Sequence, residues 1–85
     1  MKSFTYTISD PIGIHARPAG VLVKRASAFE SDIMLECGGK SADAKRIFAV
    51  MGLGVKSGDE VTLTASGADE DSAIDAMKEL FAANL

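Results

Sequence analysis

Two segments far apart in the chain alternate apolar and hydroxyl side chains without a break. Phe4, Tyr6 and Ile8 are interleaved with Ser3, Thr5, Thr7 and Ser9, and Val61, Leu63 and Ala65 with Thr62, Thr64 and Ser66. A period of two sends successive side chains to opposite faces of a strand. Each segment therefore has one face to bury and one to leave in water. Antiparallel sheets are commonly covered on one side only, whereas parallel sheets need cover on both.

The segments between supply that cover. Asp32 to Cys37 reads as another strand, with Ile33, Leu35 and Cys37 inward, and Gly38-Gly39 is a two-residue hairpin signal. Lys40 to Ala44 would return as a short edge strand, where a lysine and short length discourage aggregation. A helix beginning about Pro18 carries Ala19, Leu22, Ala26 and Phe29 at helical spacing, and a last helix after Gly67 carries Ala73, Ile74, Met77, Leu80 and Phe81. Asp69-Glu70-Asp71 places acid in that helix's first turn, where the dipole favours it. Lys45 to Met51 is a short helix that Gly52 is expected to stop. The order strand, helix, strand, strand, helix, strand, helix predicts an α+β fold, a mostly antiparallel four-stranded sheet with three helices on one face. Eighty-five residues suit one domain with a modest core, residues 1–85.

Composition removes several functions. A net charge of −3 argues against a general nucleic-acid binder. The single Cys37 cannot form an internal disulfide, and one histidine with one cysteine falls short of a four-ligand zinc site. No metal or cofactor is expected. No apolar run reaches the length of a membrane span, and the first residues read as strand rather than as a secretion signal, so a cytoplasmic location is expected.

The stretch with chemistry in it is Gly13-Ile14-His15-Ala16-Arg17-Pro18-Ala19, which holds the only histidine. Proline is tolerated in a helix's first turn, where its missing N–H has no partner to lose. His15 should thus stand at or just before a helix N-terminus, where unpaired N–H groups of residues such as Ala16 and the positive end of the dipole await an anion. Arg17 adds a permanent cation whose fork suits phosphate oxygens. Near neutrality an imidazole has a large neutral fraction, able to attack phosphorus without a separate base. The rest of the first helix sets Gly20, Val23, Lys24 and Ser27 on the same side as His15 and Arg17, a docking strip with an exposed valine beside a glycine. The short helix is apolar nearly all round: Val50 can turn inward, which leaves some of Ile47, Phe48 and Met51 exposed as a partner-binding patch. Arg17, Lys24, Arg25, Lys40, Lys45 and Arg46 lie in the first half and middle, while acidic residues crowd the end. A mildly basic face suits an acidic protein partner.

The His-Ala-Arg-Pro core, followed by Lys45-Arg46-Ile47-Phe48-Ala49-Val50-Met51-Gly52-Leu53-Gly54 and by Ala65-Ser66-Gly67-Ala68-Asp69-Glu70, resembles the HPr family. These are the histidine-containing phosphocarriers of the bacterial phosphoenolpyruvate–sugar phosphotransferase system. The resemblance covers essentially the whole chain. It implies an open-faced β-sandwich with sheet order 1-4-2-3. It also implies a carrier, not a stand-alone enzyme: His15 takes a phosphoryl group on Nδ1 from enzyme I and passes it to the IIA units of sugar permeases. Arg17 and Pro18 would complete the site, Ala16 and Arg17 would hold the phosphate, and a monomer is expected. Two residues depart from the family pattern. Ile12 stands where a small polar residue is common, and Arg46 stands where many members carry a regulatory serine. The alternative is an HPr-like regulatory or paralogous module that docks on partner proteins without serving bulk sugar uptake. An acylphosphatase-like enzyme fits less well: it would need an amide to hold water, the chain has no Gln, and its only Asn is Asn84 beside the C-terminus.

Overall fold

A computed structural model describes residues 1–85. Its elements run β1 Lys2–Thr7, α1 Ala16–Ala26, β2 Asp32–Cys37, β3 Lys40–Asp43, α2 Ile47–Gly52, β4 Glu60–Ser66 and α3 Glu70–Asn84. The sheet order is β1-β4-β2-β3 and all three pairings are antiparallel, so the sheet is wholly rather than mostly antiparallel. The two alternating segments are neighbours, with Phe4 opposite Leu63 and Tyr6 opposite Val61. Their registers put Val61, Leu63 and Ala65 on the buried face with Ile33 and Leu35 of β2. On the other face Thr5 meets Thr62 in open water.

The helices complete the core. Ala73, Ile74, Met77, Leu80 and Phe81 of α3 are buried, as are Ala19, Leu22 and Ala26 of α1. Phe81 is its largest fully buried side chain, and Phe4 and Tyr6 meet it edge-on at 5.4 and 5.6 Å between ring centroids. Such edge-to-face pairs add about 0.5–1.5 kcal/mol each beyond the area they bury.

The loop between α1 and β2 is tied to the start of α3 by a polar clasp. Asp69, the residue before α3, accepts the N–H groups of Glu30 and Ser31, each at 2.9 Å, and the hydroxyl of buried Ser31. The hydroxyl bond first, then the Glu30 N–H, holds the Asp69 carboxyl below its ordinary range.

Three boundaries differ from the sequence reading. Strand β1 ends at Thr7, and Ile8 instead exchanges backbone bonds with Asp59 and Gly58 at 2.9 and 2.7 Å. Lys45 precedes α2: its N–H donates to Asp43 Oδ1 at 2.9 Å, its ammonium to Phe29 O at 2.8 Å, and Arg46 is the N-cap. Gly52 is the last residue of this helix and keeps a right-handed conformation. The left-handed turn comes at Gly54, φ +66°, and that is where a residue without Cβ is needed.

Candidate functional site

The loop that carries His15 is fastened at both ends. Asp10 closes a turn by accepting the Gly13 N–H on its carbonyl at 3.0 Å and the Ile12 N–H on Oδ1 at 2.9 Å. Before it, Ser9 and Asp10 donate their N–H groups to the Leu85 carbonyl at 2.6 and 2.9 Å, and the Ser9 hydroxyl joins at 3.0 Å. After it, Gly13 takes φ +80° and passes close under Val55, and Ile14 donates to the Val55 carbonyl at 3.1 Å with its side chain buried. These contacts hand the chain to α1 with His15 as N-cap, extended at φ −111° and ψ −171°.

His15 accepts the Ala19 N–H on its carbonyl at 2.9 Å, but its side chain caps no N–H of the helix. The N–H groups of Ala16 and Arg17 have no backbone or side-chain acceptor, and Pro18, third in the helix, has none to satisfy. Arg17 is exposed and joins no ion pair. An imidazole, a free guanidinium and two free N–H donors therefore share one helix start.

His15 and Arg17 open on a cleft of about 310 Å³, lined also by Asp10, Pro18, Val21, Ala83 and Asn84. The sequence reading missed Asp10, Ala83 and Asn84. Asn84, remote in sequence, is returned to the histidine because α3 runs back beside α1. No local pattern signals that adjacency.

The second candidate surface forms where α1 meets α2. A Cβ on Gly20 would stand 3.9 Å from Ile47 Cδ1, so the glycine lets the two helices come together. Phe48 is 85% exposed and Met51 is exposed, while Val50 is fully buried. Ile47 is half-buried, packed on the core edge. Lys24 and Arg46 are exposed around the patch, Arg46 held only by a 3.9 Å contact with Asp43. Val23 is not the exposed valine of α1. It is half-buried against the core, and Val21 is the exposed one. At 100° per residue Val23 falls about 40° from Ala19, and Val21 nearly opposite.

Comparison with known proteins shows the family and the fold. A family model described as the PTS HPr component phosphorylation site matches residues 2–83. The histidine-containing phosphocarrier protein of a Mycoplasma is 43% identical, with 93% of this chain and 90% of that one covered and a TM-score of 0.92. HPr-C-His from Thermoanaerobacter tengcongensis is also 43% identical, covering 98% of this chain and 93% of its own, with a TM-score of 0.93. Crh, a catabolite repression protein of Bacillus subtilis described as a swapped-domain dimer, is 38% identical, with 94% and 92% covered and a TM-score of 0.78.

Proposed function

This chain belongs to the HPr family of phosphocarrier components, and on that premise we propose that His15 is the residue that carries the phosphoryl group, accepted from enzyme I and released to IIA units of sugar permeases. The observation that carries the proposal is the shared helix start: His15 and the unpaired Arg17 line one cleft, and the N–H groups of Ala16 and Arg17 beside them are free.

The chemistry follows from those groups. The lone pair of Nδ1 attacks phosphorus as its bond to the donor breaks and that electron pair stays with the donor, so the phosphoryl group changes hands and no water enters. The Ala16 and Arg17 N–H groups and the guanidinium take the phosphoryl oxygens, at the positive end of α1. Positioning and fixed positive charge are the main resources of phosphoryl transfer, and here they are in place before the group arrives. Pro18 is buried in the first turn, where its ring fixes the backbone. Transfer runs in both directions because the ring nitrogen is both nucleophile and leaving group.

Docking is assigned to the neighbouring patch of Gly20, Val23, Ile47, Phe48 and Met51, with Lys24 and Arg46 at its edge. An apolar centre ringed by cations fits an acidic partner with an apolar hollow. No helix is long and apolar enough to cross a membrane. The proposal is tested by supplying enzyme I and phosphoenolpyruvate, then a IIA protein, and following one acid-labile phosphate onto His15 and off again. A docking-only regulatory module, the alternative, would bind without taking up phosphate.

A further inference from the structure

The His15 cleft has a donor side and an acceptor side, and carriage of a phosphoryl group uses only the first. Asp10 and Asn84 line the same cleft. Asp10 spends Oδ1 on the Ile12 N–H and enters no ion pair, so its second carboxylate oxygen has no protein partner. Asn84 donates Nδ2 to the Leu80 carbonyl at 3.0 Å, which leaves its Oδ1 without a partner. Two uncommitted acceptor oxygens therefore belong to side chains that line one cleft with the His15 imidazole and the Arg17 guanidinium. A phosphoryl oxygen has no use for acceptors, but a water molecule does, because both its protons need them. At about 30 Å³ per water, the cleft has room for a phosphoryl group and several waters.

We propose that Asp10 and Asn84 hold and deprotonate a water beside the phosphorylated histidine, which gives the protein a built-in, slow phosphohistidine hydrolase activity that limits the lifetime of its own phosphoryl group. The water oxygen bonds to phosphorus as the P–N bond breaks and its electron pair returns to the ring nitrogen. Asp10 takes the proton that the water loses, Asn84 Oδ1 accepts the other in a hydrogen bond, and Asp10's proton then passes to the released nitrogen. The products are inorganic phosphate and the original imidazole, and no oxidant or further reactant is required. Arg17 serves both reactions, since the phosphoryl oxygens it holds for transfer are the ones it holds for water.

This inference rests on the assignment of His15 as the phosphorylated residue, and its test separates the two. The full chain is charged with phosphoramidate, without any partner protein, freed of reagent, and the loss of phosphate followed at neutral pH by phosphorus NMR. Asp10→Asn keeps an oxygen for the Ile12 N–H but removes the base, and the phosphohistidine half-life should lengthen about tenfold, at the low end of what a positioned base contributes. Asn84→Ala should lengthen it less, and Asp75→Asn, an exposed carboxylate on the same helix but outside the cleft, should not change it. Half-lives equal in all four proteins would overturn the hydrolytic role and leave the carrier intact. A chain that takes up no phosphate on His15 would overturn both.

Discussion

A Cβ placed on Gly13 would stand 2.3 Å from the carbonyl oxygen of Val55 and 2.7 Å from the Cα of Lys56. Both are backbone atoms, held by the Ile14 N–H bond to the same carbonyl. The residue two before the histidine is thus a close approach between two loops as well as a left-handed turn. Gly13→Ala should cost about 1–3 kcal/mol for the backbone conformation alone, and more for the clash. Urea unfolding measures that loss, and amide shifts at Ala16 and Arg17 should report a displaced helix start. An unchanged midpoint with unchanged shifts would mean that the loop is not held as described.

Phe48 separates docking from stability. With 85% of its surface exposed it contributes little to the fold, so Phe48→Glu should move stability by no more than about 0.5 kcal/mol. The same change should weaken enzyme I and IIA binding by more than about 1 kcal/mol, as expected for an anchor buried on docking. Calorimetric titration against both partners checks this. Binding as tight as that of the unaltered protein would move the interface elsewhere.

The contrast between Phe48 and Gly52 shows what was legible in the sequence. The strands were readable because a period of two leaves no choice of face, and α1 and α3 because their apolar stripes recur with the turn. The inward Val50 and outward Phe48 followed from a helix too apolar to be buried all round. The left-handed turn after that helix did not follow, since Gly52 and Gly54 both stand beyond its apolar run. Which one takes positive φ depends on where Leu53 and Val55 must enter the core, and both are buried. Val21 and Val23 exchange roles because the buried face of α1 centres on Ala19, Leu22 and Ala26, which turns Val23 to the core and Val21 to water. Asp10 reaches the cleft through the turn it closes with Gly13, but Asn84 meets His15 only through the packing of α3 against α1, a relationship with no local trace.

Asp69 should give the fold an acid-sensitive clasp. Its folded carboxyl is held below the ordinary value of 3.8, first by the Ser31 hydroxyl, so the unfolded chain binds this proton more readily. Its contribution is complete above pH 3.8 and is lost as the pH falls through the lower folded value. Asp69→Asn should lower stability at neutral pH and flatten the acid limb of the stability–pH curve. Denaturant midpoints measured across that range would show it. A parallel curve for the variant would assign the acid limb to other groups.

Arg46 is the N-cap of α2 and 79% exposed, its side chain kept only loosely near Asp43. A cation there is slightly unfavourable to the helix, by a few tenths of about 1 kcal/mol, yet it faces docking partners and has no hydroxyl to modify. Arg46→Glu should slow phosphorylation by enzyme I, with the difference shrinking as salt rises. HPr kinase with ATP should leave this position unmodified. Transfer rates at two salt concentrations and mass mapping after kinase treatment check both. An unchanged rate would make Arg46 an ordinary surface residue.

The most direct measurement is the stoichiometry and place of phosphate after incubation with enzyme I and phosphoenolpyruvate. One acid-labile phosphate per chain is expected, mapped to His15, transferable to a IIA protein, and absent from a folded His15→Ala variant. Arg17→Ala should accept it far more slowly while docking nearly as well, since its role is with the moving group. Phosphate of the same lability on the His15→Ala chain, or none on the unaltered chain, would contradict the assignment of His15 as the carrier.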